Sequence, residues 1–268
     1  MLIDGISRKS IESNDNYEVK IIDQTILPHK LEYIDLKNFS DCCKAIKDMW
    51  VRGAPLIGVT ASYGMFFALK ENSSKKNIEY SFKKLLATRP TAVDLKWALE
   101  NITDVILQIN ENDRADHVWS IARKLEADSI EQCSKIGDYG LEVIKSRIKN
   151  NKTFNILTHC NAGWLACVDW GTALAPIYKA YNSGLDIHVW VDETRPRSQG
   201  AALTAWELSK HGVPNTLIVD NAGGHLMQRG EVDLCIVGSD RTAANGDVCN
   251  KIGTYMKALC AFDNDIPF

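Results

Sequence analysis

The sequence has 268 residues, 45% of them hydrophobic, so the chain can bury a substantial core and has room for one large α/β domain or two smaller domains. Its net charge is −3 and its lysines and arginines are spread along the chain, which argues against a nucleic-acid partner. The N-terminal MLIDGISRKSIESND has no apolar signal segment and no long apolar run occurs anywhere, so we expect a cytoplasmic protein that does not bind membranes.

The sequence begins with the pattern of a short antiparallel hairpin. Residues 15–33 alternate apolar and polar side chains, and Pro28 interrupts the alternation. A helix is predicted next, because apolar residues then recur at helical spacing. We expect its N-cap at Ser40 or Asp41 and its end at the glycine and proline of RGAP.

Further helical segments follow in the N-terminal half. Residues 94–108 and 114–149 have helical periodicity, and the second segment ends in the polar sequence KSRIKNNK. We therefore predict a small, mainly helical N-terminal domain with a short β-hairpin over residues 1–150. A second domain is predicted over residues 151–268.

The second domain alternates short β-branched runs with helical segments. Strands are predicted at residues 154–159, 186–191, 216–219 and 233–238. The intervening ALAPIYKAYNSG and QGAALTAWELSKHG have the length and the closing glycine of crossover helices. This alternation predicts an α/β fold with a doubly wound parallel sheet.

The residues that follow these strands are the candidates for a site, because open parallel sheets bind ligands outside the carboxyl ends of their strands. All four groups are polar, and we expect them to face one rim. They are Cys160 and Asn161, Asp192 to Arg195, Asp220 and Asn221, and Ser239 to Arg241.

Cys160 has two interpretations. Cysteine is most often a small buried hydrophobe. At a strand end, however, a thiol is well placed for chemistry, and a nearby helix N-terminus would tune its ionisation. Cys167, Cys235 and Cys260 lie inside predicted elements and are expected to be structural. The eight cysteines contain no CxxC pair, so we expect no disulfides.

Asp240 also has two interpretations, as a helix cap or partner of the adjacent arginine, or as a site residue. The stretch GSDRTAANGDVCNKIGTY is richer in polar residues and glycine than a cap requires. Asn250 and Lys251 precede an apolar helix, where backbone N–H groups and an ammonium could hold a phosphate. Arg52 and Arg89, each beside a glycine or proline, are further candidates for binding an anion.

Metal and dinucleotide sites have weak sequence support. His159, His188 and His225 could converge with Cys160 from strand ends, but no pair has the spacing of a zinc motif. The sequence NAGGH at residues 221–225 lacks the spacing of the GxGxxG fingerprint. Neither cofactor is therefore expected.

Six motifs occur in order between about residue 15 and the last residue: RGAPLIG, RPTAVDL, THCNAG, DETRPRSQGAALTAWEL, DNAGGHLM and GSDRTAANGDVCNKIGTY. With them the sequence resembles the 5-methylthioribose-1-phosphate isomerase family. The resemblance implies a small N-terminal domain, a Rossmann-like C-terminal domain, a homodimer, and no metal or organic cofactor. It also implies conversion of an aldose 1-phosphate to a ketose 1-phosphate in methionine salvage.

The same motifs imply the site residues. The cysteine of THCNAG and the acid of GSDR, which are Cys160 and Asp240, correspond to the two catalytic positions. The implied phosphate and sugar contacts are Arg52, Gly53, Ala54, Arg89, Gln199, Asn250 and Lys251.

Two departures from the family's usual motifs leave the substituent on C5 open. Asp94 stands where asparagine is commoner, and DNAGGH replaces DNMAAH. Relatives that isomerise 5-deoxyribose 1-phosphate or ribose 1,5-bisphosphate are therefore alternatives. The family also continues beyond the position of Phe268, so we expect either that the sequence is truncated at its C-terminal end or that the Rossmann-like domain lacks part of its sheet.

A non-enzymatic alternative comes from another class of protein. Regulatory subunits of a translation-initiation guanine-nucleotide exchange factor share this fold and act as scaffolds. The presence of both Cys160 and Asp240 argues against that role, because function follows the site rather than the fold.

The implied reaction needs an acid, because the anomeric phosphate blocks ordinary ring opening. Asp240 fits that task if burial keeps it protonated. Hydrogen then moves from C2 to C1 either as a proton carried by a Cys160 thiolate or as a hydride. The apolar Trp164 and Leu165 favour the neutral thiol, so we expect the hydride route.

Overall fold

The computed structural model describes residues 1–148 and 152–268. The strands are β1 (Leu2–Ile3), β2 (Ile6–Ser7), β3 (Ile11–Ser13), β4 (Val19–Ile22), β5 (Tyr33–Leu36), β6 (Phe154–His159), β7 (Ile187–Asp192), β8 (Asn215–Ile218), β9 (Leu234–Cys235), β10 (Arg241–Thr242) and β11 (Val248–Cys249). The α-helices are α1 (Phe39–Lys47), α2 (Ala54–Glu71), α3 (Lys75–Leu86), α4 (Val93–Ile106), α5 (Arg114–Arg147), α6 (Ala175–Asn182), α7 (Trp206–His211), α8 (Gly223–Gln228) and α9 (Thr254–Asp263), and a π-helix (Gly200–Ala205) precedes α7.

The chain folds into two compact units. The sheet unit comprises Met1–Arg8, Cys133–Trp164 and Asp169–Phe268, and the helical unit comprises Lys9–Gln132 and Leu165–Val168. The predicted boundary between residues 150 and 151 lies outside the described residues, so the domain division stays a prediction. None of the described helices combines the length and the hydropathy needed to cross a bilayer.

Helix α2 is the centre of the helical unit. Every residue from Leu56 to Leu69 is buried, and α2 packs against α1, α3 and α4. A helix that is apolar on all sides is typical of the interior of a fold. Because α2 begins directly after Gly53, this core holds one of the predicted contact residues in a fixed place.

The predicted hairpin is present in the helical unit as the antiparallel pair β4 and β5, with Pro28 in the connection between them. Strand β3, which was not predicted, pairs with the other edge of β4. The helical segments predicted at 94–108 and 114–149 correspond to α4 and α5. Residue 149 lies outside the described residues.

The predicted limits of the first helix were wrong. Its N-cap is Asn38, whose side chain accepts a 3.0 Å hydrogen bond from the backbone N–H of Asp41. The helix ends at Lys47, and the RGAP sequence begins α2 instead of ending α1. Proline is favoured in the first turn of a helix, because the missing N–H would have had no helical partner there.

The sheet unit contains a four-stranded parallel sheet in the order β8-β7-β6-β9, which confirms the predicted α/β class. The chain leaves β6 in one direction for β7 and β8, and then returns to add β9 on the other side. In open α/β sheets, ligands bind at the carboxyl ends of the strands where the order reverses in this way. The fold therefore places a binding crevice at the ends of β6 and β9.

The last predicted strand, 233–238, was too long, because only Leu234–Cys235 pairs as a strand. On the other side of β6, the pairing with β7 runs the full length of both strands and sets His159 opposite Asp192. The two side chains therefore reach the same rim of the sheet.

Candidate active site

Cys160 is the first residue after β6, and its backbone has a φ of 66°. Positive φ is uncommon in residues with a Cβ atom, and such strain is concentrated at functional sites. The residue is half-buried. Its conformation turns the chain sharply at the point where the sheet order reverses.

The π-helix Gly200–Ala205 holds the strained segment in place. The Thr204 hydroxyl donates a 2.6 Å hydrogen bond to the carbonyl oxygen of Cys160. The side-chain amide of Asn161 donates to Thr204 Oγ1 at 3.0 Å and to Oε1 of the buried Glu207 at 3.3 Å. Single π-helical turns are often found at functional sites. Here Thr204 in the π-helix and Glu207 in the following α7 supply the two acceptors for the residue after Cys160.

Asp240 lies beyond β9, the strand that pairs with β6. Its backbone N–H donates a 3.0 Å hydrogen bond to the carbonyl oxygen of Cys249, at the base of the β10–β11 hairpin. Residues 239–249 are all exposed. The expected burial of Asp240 is therefore wrong for the protein alone, because the hairpin extends into solvent.

A charge cluster lies at the same rim, formed by the buried His159, Asp192 and Lys257 and by Asp220, whose side chain is 43% exposed. The Lys257 ammonium contacts Asp192 Oδ2 at 2.7 Å, Asp220 Oδ1 at 2.9 Å and the Asp220 carbonyl oxygen at 2.6 Å. Lys257 is only 2% exposed and Asp192 is fully buried. The three N–H donors of the ammonium thus have three oxygen acceptors.

His159 links this cluster to the turn before α9. Its Nε2 lies 2.8 Å from the carbonyl oxygen of Ile252, which can only accept, so Nε2 is the donor in this hydrogen bond. Its Nδ1 lies 2.5 Å from Asp192 Oδ2, so both ring nitrogens have a partner.

Burial shapes the titration of the cluster. It raises the pKa of Asp192, although the hydrogen bonds from His159 and Lys257 oppose the rise. Burial alone lowers the pKa of Lys257, but hydrogen bonds to the two carboxylates outweigh it and the pKa is raised. Burial, followed by the charge of Asp192, also raises the pKa of the neighbouring Cys235 to about 12. Cys235 is therefore an inert thiol, as predicted for a structural cysteine.

His159, Asp192 and Asp220 also have the spacing of metal ligands, with donor atoms within 4.8 Å of one another. The ammonium of Lys257 already bonds to both carboxylates. It supplies the positive charge that a metal ion would bring to such a site. We therefore assign the cluster to an internal ion network rather than to a metal centre.

The predicted phosphate contacts Asn250 and Lys251 lie on the turn that precedes α9. The Asn250 amide donates to Thr254 Oγ1 at 3.0 Å, and the Thr254 hydroxyl donates to the Lys251 carbonyl oxygen at 2.7 Å. Gly253, with a φ of 101°, closes the turn. Gln199 is nearly buried and directly precedes the π-helix. These three predicted contacts and both catalytic candidates belong to the sheet unit.

The other predicted contacts belong to the helical unit. Arg52, Gly53 and Ala54 are consecutive at the start of α2, and Arg89 lies between α3 and α4. Gly53 has a φ of 87°, and a Cβ atom there would lie 2.1 Å from the carbonyl oxygen of Ala166. Only glycine fits this close approach.

Sequence reasoning gave no role to Lys257 and considered His159 only as a metal ligand. A signal for Lys257 was present, because a lysine within the apolar helix sequence IGTYMKALCAF needs a buried partner. Its partners Asp192 and Asp220 were among the residues expected at the rim. Their convergence with His159 confirms that the strand ends meet there.

Comparisons with known proteins bear on this fold and site. A family described as the Initiation factor 2 subunit family matches residues 50–268. A methylthioribose-1-phosphate isomerase of Paramagnetospirillum magneticum is 54% identical over 270 residues, covering 100% of this chain and 75% of the relative. One from Sinorhizobium medicae is 56% identical, covering 96% of this chain and 71% of the relative.

Two solved structures are similar over nearly the whole chain. The 5-methylthioribose 1-phosphate isomerase of Pyrococcus horikoshii OT3 has a TM-score of 0.88 and 37% identity, covering 98% of this chain and 74% of that one. A protein from A. fulgidus described as subunit delta of translation initiation factor eIF-2B has a TM-score of 0.85 and 39% identity, covering 98% and 76%.

The sheet order and these matches first define the class of the chain. It is a Rossmann-like α/β protein of the initiation factor 2B type. Within that class, the two relatives that match 96–100% of this chain at 54% to 56% identity are isomerases, and the chain spans 71–75% of their length. The chain therefore belongs to the Initiation factor 2 subunit family, in its methylthioribose-1-phosphate isomerase branch.

Proposed function

We propose that this chain converts 5-methylthioribose 1-phosphate to 5-methylthioribulose 1-phosphate. The observation that carries the proposal is the strained Cys160 at the end of β6, beside the strand that leads to Asp240. The named relatives that the whole chain matches support the same aldose–ketose isomerisation.

The proposed reaction begins with ring opening. Asp240 donates a proton to the ring oxygen as the bond from that oxygen to C1 breaks. A hydride then passes from C2 to C1, and the C2 hydroxyl gives its proton to the Asp240 carboxylate formed in the first step, which leaves a ketone at C2 and restores the acid. Cys160 stabilises this step as a neutral thiol, because the neighbouring Trp164 is fully buried and apolar surroundings disfavour a thiolate.

The proposed substrate contacts divide by chemistry. Lys251 and the N-terminus of α9 offer an ammonium and backbone N–H groups, a combination that suits a phosphate. Arg52 and Arg89 offer further positive charge, and Gly53 and Ala54 lie at the N-terminus of α2, where backbone N–H groups can bind an anion. Gln199 and Asn250 supply amides that hydrogen-bond sugar hydroxyls.

Turnover with purified protein tests the proposal. We expect the ketose product to form from 5-methylthioribose 1-phosphate, as followed by NMR. The value of kcat/KM is then compared among 5-methylthioribose 1-phosphate, 5-deoxyribose 1-phosphate and ribose 1,5-bisphosphate. This comparison identifies the preferred C5 substituent, which is needed because one apolar substituent contributes only about 1–3 kcal/mol of discrimination between substrates. A strong preference for the bisphosphate would overturn the assignment.

One observation favours a second candidate, a scaffold without catalysis. The A. fulgidus structure, 39% identical to this chain, carries the name of an initiation factor subunit. A scaffold would bind the sugar phosphate and leave it unchanged. The turnover assay therefore separates the two candidates.

We further propose that the enzyme acts in methionine salvage, in the cytoplasm, as a homodimer. The proposal extends the isomerase assignment and the family's implied assembly to this chain. Light scattering of the purified protein gives its mass in solution. A mass near the 29.9 kDa of one chain at all concentrations would contradict the dimer.

A further inference from the structure

The charge cluster of His159, Asp192, Asp220 and Lys257 includes neither proposed catalytic residue. It spans the ends of three neighbouring strands, because His159 ends β6, Asp192 ends β7 and Asp220 follows β8. Lys257 comes from α9. One hydrogen-bonded unit therefore joins the rim of the sheet to the helix behind the proposed phosphate-binding turn.

The link from His159 to this turn is a single hydrogen bond. Nε2 donates to the carbonyl oxygen of Ile252, the residue after Lys251. His159 is also the residue before Cys160, so one imidazole connects the strained thiol to the Asn250–Gly253 turn. Its orientation is fixed from the other side by the 2.5 Å contact between Nδ1 and Asp192.

Gly253 shows how closely the turn approaches the cluster. A Cβ atom at this position would lie 2.9 Å from His159 Nε2 and 3.3 Å from Lys257 Nζ. The turn therefore rests directly on the cluster, and its position follows that of the imidazole.

We propose that His159 is a positioning residue that holds the Asn250–Gly253 turn at the distance from Cys160 that the sugar phosphate requires. Asp192, Asp220 and Lys257 orient the imidazole, with the ammonium as the resident cation. The proposal rests on the proposed function, because it takes Asn250 and Lys251 to bind substrate.

Two substitutions at His159 separate its two hydrogen bonds. His159→Gln places an amide N–H near the position of Nε2 and keeps a donor for the Ile252 carbonyl. His159→Asn reaches only as far as Nδ1, so it keeps the contact with Asp192 and loses the link to the turn. Both variants replace the imidazole ring by an amide, so any effect of losing the ring itself is common to the two.

Binding of 5-methylthioribose 1-phosphate is then measured by calorimetry, beside KM, kcat and Tm. We expect His159→Gln to bind within about threefold of the wild type and His159→Asn to bind at least about tenfold more weakly, the scale of one lost hydrogen bond. The two variants should have similar Tm values. Equal weakening in both variants, or unchanged binding in His159→Asn, would overturn the proposal.

Gly253→Ala provides a second test in case the His159 variants do not fold. Its matched control is Gly184→Ala, because Gly184 also has a positive φ but a Cβ atom there meets nothing within 4 Å. Both variants share the strain of alanine at positive φ, but only Gly253→Ala adds a close contact with the cluster, so we expect it to lose more stability than Gly184→Ala and to be the one that weakens binding. Equal binding by the two variants would contradict the link between cluster and turn.

The binding measurement also separates this proposal from the proposed function. A wild type that binds the sugar phosphate without turnover would remove the isomerase assignment and leave the positioning test intact. If instead the wild type turns over substrate and the two His159 variants have equal KM values, the isomerase assignment stands and the positioning role is overturned.

Discussion

The hydroxyl of Thr204 lies 2.6 Å from the carbonyl oxygen of Cys160, and so the π-helix directly supports the strained residue after β6. We expect Thr204→Val to release this strain and to misplace the thiol. Misplacement by about 1 Å can cost on the order of a hundredfold in rate, so kcat should fall by about ten- to a hundredfold with KM little changed.

Thr204→Ser is the matched control for that change. Serine keeps the hydroxyl that donates to the Cys160 carbonyl and accepts from Asn161, and it loses only the methyl group. We expect Thr204→Ser to retain most of the wild-type kcat. Equal losses in the two variants would mean that packing of the methyl group matters and the hydrogen bond does not.

The two proposed catalytic residues predict large effects on kcat. Cys160→Ala and Asp240→Asn should each lower kcat by at least about a hundredfold, because the first removes the thiol proposed to stabilise the hydride transfer and the second removes the proton-transferring acid. Circular dichroism should show that the fold persists in both variants. Near-normal turnover in either variant would remove that residue from the mechanism.

The proposed phosphate contacts predict a different kinetic pattern. Lys251→Ala and Arg52→Ala should mainly raise KM, because they remove charge that binds the ground state as well as the transition state. Steady-state kinetics at several ionic strengths provide the measurement. A fall in kcat alone, with unchanged KM, would contradict a role in substrate binding.

The route of the migrating hydrogen can be traced with solvent deuterium. In D₂O, direct hydride transfer carries the original hydrogen from C2 to C1, so we expect almost no deuterium at C1 of the ketose. NMR of the product measures that enrichment. Substantial deuterium at C1 would exclude the hydride route and assign Cys160 as a proton carrier.

Asp94 predicts a dependence of stability on pH. Burial raises the pKa of this carboxyl in the folded protein, so its contribution to stability is present at low pH and is lost as the pH rises through the folded pKa. Asp94→Asn has no such loss. Between about pH 3 and pH 7, the wild type should therefore lose stability relative to the variant.

Urea unfolding at a series of pH values measures this difference. Asp104→Asn is the matched control, because Asp104 lies on the same helix and is exposed. The free energy of unfolding of Asp104→Asn should follow that of the wild type across this pH range. A constant offset between Asp94→Asn and the wild type would show that the carboxyl does not titrate differently on folding.

The sequence predicted the parallel sheet and its polar rim because strand periodicity and strand-end chemistry are local signals. It did not predict that Cys160 would have a positive φ, since that strain depends on Thr204, which is distant in the sequence. It also placed Asp240 in a buried environment, whereas the hairpin after β9 is exposed. Burial depends on neighbours that periodicity does not identify.

The helix boundary at RGAP was misplaced for a local reason. Glycine and proline end one helix as often as they precede another, and only the packing of α2 decides between the two. The same limit applies to Lys257, whose three acceptors come from residues far apart in the sequence.

The ion pair between Lys257 and Asp192 has an evolutionary consequence, because both side chains are buried. Replacing one of them alone leaves an uncompensated charge in the interior, which typically costs about 3–5 kcal/mol, whereas replacing an oppositely charged pair by apolar residues can be nearly neutral. These positions should therefore change together during divergence. Among homologues, loss of Lys257 should be accompanied by loss of Asp192.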